Sequence, residues 1–139
     1  MRLRELVTRI EPTSRNKRRL IWEPVNGIHL ERLQAFEFYP SETSGGNHFH
    51  LRLTEYFFVV TGCMTVLVLK DIRTGEREVF RDLGQGFRIV VPPYIAHANC
   101  FAPGTVLVAG CTTAYDPDDN DSYIYRLLDE KGQEILDTA

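Results

Sequence analysis

Three strong metal ligands, His48, His50 and Glu55, fall within eight positions of this sequence. Side chains two apart on an extended segment share a face, so His48 and His50 point the same way about 7 Å apart along the strand. Glu55 follows five residues later, and a turn over Arg52 to Thr54 would bring its carboxylate back beside the two imidazoles. Borderline first-row metals accept this mixture of nitrogen and oxygen donors. A site made from one strand would lie flat and open, so a fourth ligand must come from elsewhere. The chain has four histidines. His97, in Val-Val-Pro-Pro-Tyr-Ile-Ala-His-Ala-Asn just after an apolar strand, is the distal candidate. A lone histidine is ordinarily satisfied by hydrogen bonds in the core or at the surface. A His-x-His pair with a nearby Glu and a distal His points instead to one divalent transition metal: Zn, Mn, Fe or Ni.

These residues need a scaffold of strands. Glu55 to Thr61 and Met64 to Lys70 are apolar runs separated by Gly62-Cys63, which reads as a hairpin. Arg18 to Trp22 reads as a short strand after a polar turn over Pro12 to Asn16. Ile28 to Tyr39 reads as a longer strand stopped by Pro40. Glu76 to Arg81, Phe87 to Val91, Thr105 to Cys111 and Ser122 to Leu128 complete the set. Strands recur about every 8 to 12 residues with no helical period between them, predicting an all-β sandwich or small barrel. Met1 to Ile10 reads as an edge strand or an arm, and 129–139 as a loose tail. In Tyr56-Phe-Phe-Val-Val60 both faces of the strand are apolar, which predicts a covering layer or a second subunit; a homodimer is the expectation.

At 139 residues the chain is expected to form a single domain. Its 43% hydrophobic and 25% charged residues are those of an ordinary globular protein. No apolar run approaches the roughly 20 residues that span a bilayer, and the N-terminus lacks the apolar core of a signal peptide, so the expected location is the cytoplasm with no membrane partner. The net charge of −3 is unevenly spread. Residues 1–19 carry seven Arg or Lys against Glu5 and Glu11, a balance of +5, while residues 116–139 carry eight Asp or Glu against Arg126 and Lys131, a balance of −6. The basic run Arg15 to Arg19 has no interleaved aromatics, so no nucleic-acid partner is expected. Cys63, Cys100 and Cys111 are odd in number and set in apolar surroundings, reading as small buried hydrophobes rather than a disulfide framework. A nucleophilic Cys100, three residues beyond His97, is the less favoured reading. Asp116 to Asp121 is an acidic turn, but a calcium loop needs Gly and Glu where this chain has Asp121 and Leu127.

The residues resemble the cupin superfamily of double-stranded β-helix, or jelly-roll, barrels. The first cupin motif, His-x-His, three or four residues, Glu, six residues and Gly, is matched by His48, His50, Glu55 and Gly62. The second is matched by Gly86, Pro92 and His97. Together they cover a metal-site core of about 46–101, leaving an N-terminal arm over 1–17 and a C-terminal strand and tail over 116–139 of one cupin domain. The departures are Glu42 and Tyr94 where the motifs have Gly, and Phe101 where the second has Asn. Tyr94 puts the tight turn there in doubt and places a phenol near the pocket mouth. The ending Ala114-Tyr-Asp-Pro-Asp-Asp-Asn-Asp-Ser-Tyr123 is similar to that of the metal-binding cupin domain of bifunctional capsular-polysaccharide reductase/epimerase enzymes.

That resemblance implies an epimerase or isomerase acting on a keto-sugar of a nucleotide-sugar pathway, a carbohydrate small-molecule substrate, and metal-assisted proton abstraction next to a carbonyl. Tyr94, Tyr39 and His29 are candidates for the general base by type and by position near strand ends. Arg88, Arg52 and Arg32 are candidates for a diphosphate. An iron-dependent dioxygenase-type cupin and a non-catalytic small-ligand-binding cupin are the alternatives, since the same ligands serve all three.

Overall fold

The computed structural model describes residues 2–40 and 44–136. Glu42, read above as a motif departure, and the end of the tail over 137–139 lie outside the described residues. The strands are β1 Val7–Arg9, β2 Ser14–Arg15, β3 Leu20–Ile21, β4 Arg32–Glu37, β5 Ser44–Phe49, β6 Glu55–Thr61, β7 Cys63–Asp71, β8 Arg77–Gly84, β9 Phe87–Val91, β10 Ile95–Phe101, β11 Val106–Cys111 and β12 Tyr123–Ile124. They form two five-stranded antiparallel sheets, ordered β1-β9-β6-β11-β4 and β12-β5-β10-β7-β8, with β2 and β3 as a separate hairpin. From β4 onward successive strands change sheet at every connection except β7 to β8. This is the predicted all-β jelly roll, the double-stranded β-helix of cupins.

The crossing from β6 to β7 corrects the hairpin expected there. β6 pairs with β9 and β11, and β7 pairs with β8 and β10, so Gly62 carries the chain from one sheet to the other. Gly62 has φ +88, and a Cβ on it would lie 2.4 Å from Thr105 Oγ1. Only glycine fits that backbone and that approach.

The core lies between the sheets and alternates as strands require: Phe57 and Val59 of β6, Leu67 and Leu69 of β7, Ile89 and Val91 of β9, Ile95 and Phe101 of β10. Leu3 and Leu6, on a short 3-10 turn, are buried in it, so the N-terminus is tied into the barrel through β1 rather than reaching away. The outer face of the second sheet has its own cover, where Leu127 and Leu128 pack on Val68, Ala96 and Ala98. Residue 128 also bridges to Glu134, and Arg77 pairs with Glu134 at 2.9 Å, so the described tail is docked rather than loose. Phe58, on the outer side of β6, is covered by Trp22 with ring centroids 5.5 Å apart. The chain thus itself supplies a layer over that apolar strand.

Other boundaries moved. The polar turn lies at 16–19, closed by Asn16 Oδ1 accepting from Arg18 and Arg19 N–H. The strand begun at Ile28 starts at Arg32, the strand begun at Glu76 runs to Gly84, and Ser122 to Leu128 reduces to Tyr123–Ile124. His97 comes after the apolar strand β9 as expected, but it lies within a further strand, β10, facing inward between Ile95 and Asn99.

Candidate metal centre

The two sheets meet the sequence motif at one point. His97 on β10 lies opposite His48 on β5, and His50 follows at the end of β5 while Glu55 opens β6 in the facing sheet. One donor atom from each of His48, His50, Glu55 and His97 lies within 4.8 Å of the other three. Donors around a single first-row ion bonded at about 2.0–2.2 Å stand roughly 3–4 Å apart, so the set needs a contraction of about an ångström. His50 Nε2 is 2.8 Å and His97 Nε2 is 3.5 Å from Glu55 Oε1.

The hydrogen bonds around His50 test whether a cation fits. Its Nδ1 faces the backbone carbonyl of Asp121, which can only accept, so Nδ1 carries the proton. Its Nε2 then points a lone pair at the Glu55 carboxylate, another acceptor. Only a proton or a cation between them removes the conflict. An outer carbonyl on one ring nitrogen and a shared centre on the other is how metal-bound imidazoles are held. Three imidazoles and one carboxylate, mostly buried, fit a divalent transition metal.

Electrostatics agree with the proton filling that place in the metal-free state. Burial works to lower the His50 pKa, but the Glu55 hydrogen bond and the Asp121 carbonyl outweigh it and leave it raised. Burial likewise works to raise Glu55, and the hydrogen bond from His50 with the nearby His97 and His48 reverses this, leaving it lowered. Burial, with His50 beside it, lowers His48. Burial pushes His97 down to about 4. Its Nδ1 is enclosed without a well-formed hydrogen bond, although the Ile95 carbonyl nearby supports its basicity.

The turn between His50 and Glu55 forms as expected, but its cause lies far along the chain. The Asp121 carboxylate accepts the N–H groups of Leu51, Arg52 and Leu53 at 2.8, 2.8 and 3.0 Å, and Thr112 Oγ1 accepts that of Thr54 at 3.0 Å. The bulge at Asn47, with φ 61, is pinned similarly: its Oδ1 accepts from Leu127 and Leu128 N–H and its Nδ2 donates to the Leu128 carbonyl. Neither Asp121 nor Asn47 stood out in the sequence as part of the site. Cys111 was also read only as a hydrophobe. Its Sγ lies 3.8 Å from Glu55 Oε2, and burial together with that carboxylate pushes the thiol up to about 11.

Two cavities reach the cluster. The larger, about 660 Å³, is lined by Thr113 to Asp116 and Asp119 to Ser122, with Arg32 and Arg52 beside them. The smaller, about 380 Å³, is walled by Phe36, Phe38, Tyr39, Phe57 and Phe101. His48 and Glu55 line both, His50 the larger and His97 the smaller. Of the candidate bases, Tyr39 lines the smaller cavity. Tyr94 and His29 line neither. Tyr94 adopts φ 70, the left-handed conformation its motif position demands, its N–H donates to the His50 carbonyl, and its ring lies under Arg73 rather than at a pocket mouth. His29 is exposed and paired with Glu31 at 2.7 Å. Arg32 stands over Tyr115, Arg52 pairs with Asp119, and Arg88 donates to the Pro24 carbonyl away from both cavities. Cys100 is on the opposite face of β10 from His97, among the residues that pack under Leu127 and Leu128.

No protein-family model matches the chain, and no curated protein matches it. Solved structures do. Capsular polysaccharide assembling protein CapF from Staphylococcus aureus matches 72% of this chain at 19% identity and a TM-score of 0.60, the match spanning only 28% of CapF. WlaRA, a TDP-fucose-3,4-ketoisomerase from Campylobacter jejuni, matches 84% of this chain and 86% of its own length at 12% identity and a TM-score of 0.67. A double mutant of QdtA, a 3,4-ketoisomerase from Thermoanaerobacterium thermosaccharolyticum, in complex with TDP, matches 84% of each chain at 19% identity and a TM-score of 0.67. At these identities the likeness establishes the fold: the chain has the cupin double-stranded β-helix, in common with the matched part of CapF and with the sugar 3,4-ketoisomerases.

Proposed function

We propose that this protein is a metal-binding cupin that isomerises or epimerises a keto-sugar carried on a nucleoside diphosphate. The observation that carries the reading is the meeting of His48, His50, Glu55 and His97 where two cavities of different polarity join. The shared fold with TDP-sugar ketoisomerases supports it. A divalent transition metal held by these four residues would supply Lewis-acid polarisation of a carbonyl oxygen.

The remaining work belongs to the chain itself. Arg32 and Arg52, on the wall of the larger cavity, offer planar cationic forks for phosphate oxygens. The aromatic wall of the smaller cavity gives the side of the cluster that His97 occupies an apolar lining. Tyr39 is the proton-transfer candidate that this reading retains, because the residue borders the cavity that His48 and Glu55 also line. The reading places the protein in the cytoplasm, in keeping with three unpaired cysteines. It also includes a homodimer, supported by Leu33, 69% exposed on the edge strand β4; light scattering giving 16.0 kDa rather than twice that mass would remove the dimer.

The test is solvent exchange. Incubation of nucleotide-linked keto-sugars with the protein in D2O is expected to place deuterium next to the ketone. No exchange across a panel of such sugars refutes the reading, and oxygen consumption with the same panel would favour the dioxygenase alternative.

A further inference from the structure

The loop that joins His50 to Glu55 makes few backbone hydrogen bonds of its own. Its four successive N–H groups, Leu51 to Thr54, are all accepted by side chains of the segment that follows β11: three by the Asp121 carboxylate and one by Thr112. The Asp121 backbone carbonyl accepts from His50 Nδ1 as well. One residue therefore holds the ring of one proposed ligand, through its backbone carbonyl, and three of the four amides of the turn that delivers another. The Asp121 residue is 8% exposed, and β12, which begins two residues later, pairs with β5 at Phe49 and His48. Three converging N–H groups require an acceptor with two oxygens and no donor of its own, which an ionised Asp supplies and an Asn does not.

The same segment, from Thr113 to Ser122, forms one wall of the larger cavity, and Asp119 within it holds Arg52 of the turn at 2.8 Å. We propose that Asp121 is a positioning residue that sets the geometry of His50 and Glu55, making the C-terminal cavity wall and the metal cluster one mechanical unit. This rests on the metal reading above. It also goes beyond it, because an occupant that shifts this wall must then change metal affinity, and by linkage the metal must change the occupant's affinity equally.

The experiment compares the full chain with Asp121→Asn, Asp121→Ala and Leu3→Ala. Leu3 is a core residue far from the site in sequence and role, so it reports plain destabilisation. Cobalt(II) affinity is measured by chelator competition and the visible spectrum, alongside the nitrogen-15 signals of the His50 ring in metal-free protein. Both Asp121 variants are expected to bind cobalt about 10- to 100-fold more weakly, as losses of outer-shell partners do. The Asp121 backbone carbonyl remains in both variants, so the His50 Nδ1–H signal is expected to lose its protection from exchange because the segment, without its three carboxylate hydrogen bonds, carries that carbonyl away from the ring. Leu3→Ala is expected to lower the melting temperature while leaving cobalt affinity within about twofold. Unchanged affinity in Asp121→Asn, or an equal loss in Leu3→Ala, overturns the proposal. If the parent chain binds no cobalt, the metal reading falls, and the His50 signal in Asp121→Asn still decides whether Asp121 positions that ring: loss of protection upholds it, and an unchanged signal overturns it.

Discussion

The metal-free protein is predicted to lose stability in mild acid because of His97. The ring is 1% exposed, and its Nε2 has the Glu55 carboxylate 3.5 Å away. Burial pushes its pKa down to about 4 from the ordinary 6.5. The unfolded chain therefore binds a proton between these values that the folded chain refuses, so stability rises with pH across that window and falls as the solution is acidified through it. From pH 7 to pH 4.5 the loss from this residue is about 2–3 kcal/mol, since roughly two pH units at 1.36 kcal/mol each are traversed. His48, also lowered, acts in the same direction. His50 is raised and acts oppositely: its contribution is fully present below the unfolded value and is lost as pH rises through its folded one. Glu55 is lowered, so its contribution is present above the unfolded carboxylate value and disappears only below it.

Urea denaturation in the presence of chelator, at pH 7 and pH 4.5, measures the effect in the parent chain and in His97→Gln. The parent is expected to lose about 2–3 kcal/mol more than the variant over this range. Nitrogen-15 chemical shifts of His97 in the parent are expected to show a neutral ring down to about pH 5. Equal losses in the two proteins, or protonation of His97 near 6.5, would refute the reasoning and mean that water or an unseen partner reaches the ring.

Two further outcomes follow from the same geometry. Glu55→Gln removes the carboxylate that holds the His50 proton, so the His50 pKa is expected to fall, and cobalt(II) affinity with it by at least about tenfold; a variant that binds cobalt as the parent does would remove Glu55 from the ligand set. Asn47→Gly keeps the left-handed backbone but loses three side-chain hydrogen bonds, an expected cost of about 2–4 kcal/mol. Asn47→Ala should cost about 1–2 kcal/mol more because of φ 61. Denaturation curves that place the two variants together would show that backbone conformation is not what selects Asn at this bulge.

The four proposed ligands were legible because their chemistry is rare and their spacing is local. His48 and His50 share a face in any extended strand, and the choice of a distal partner was narrow. The paths between strands were less legible. Gly62-Cys63 carries the same local signal whether the chain returns alongside itself or crosses to a second sheet, and only the pairing of β6 with β9 and β11 decides it. β10 was missed because six of its seven residues are buried, so it shows no alternation of polar and apolar positions, and Pro92-Pro93 before it reads as a break. Asp121 was hidden for another reason. Its partners are amides 68 to 70 residues away, and backbone N–H groups leave no mark in a sequence. Asn47 was hidden likewise, its partners being the amides and a carbonyl at Leu127 and Leu128.

The ligand set alone leaves the chemistry open, because three imidazoles and a carboxylate also serve redox metals and passive anchors. The surroundings narrow it. A reacting carbon placed against the cluster would have two cavities of about 660 and 380 Å³ in which to lay the rest of its molecule. One wall offers guanidinium groups and carboxylates, the other stacked rings, with Phe38 on Phe101 at 3.9 Å. Catalysis gains when parts of a substrate remote from the reacting centre supply binding energy that orients it. A substrate with a charged linker, a hydroxylated ring and a flat apolar end can use both cavities at once. A small substrate would leave most of that lined volume unused, so the size of the two cavities supports a large, extended substrate of the kind proposed.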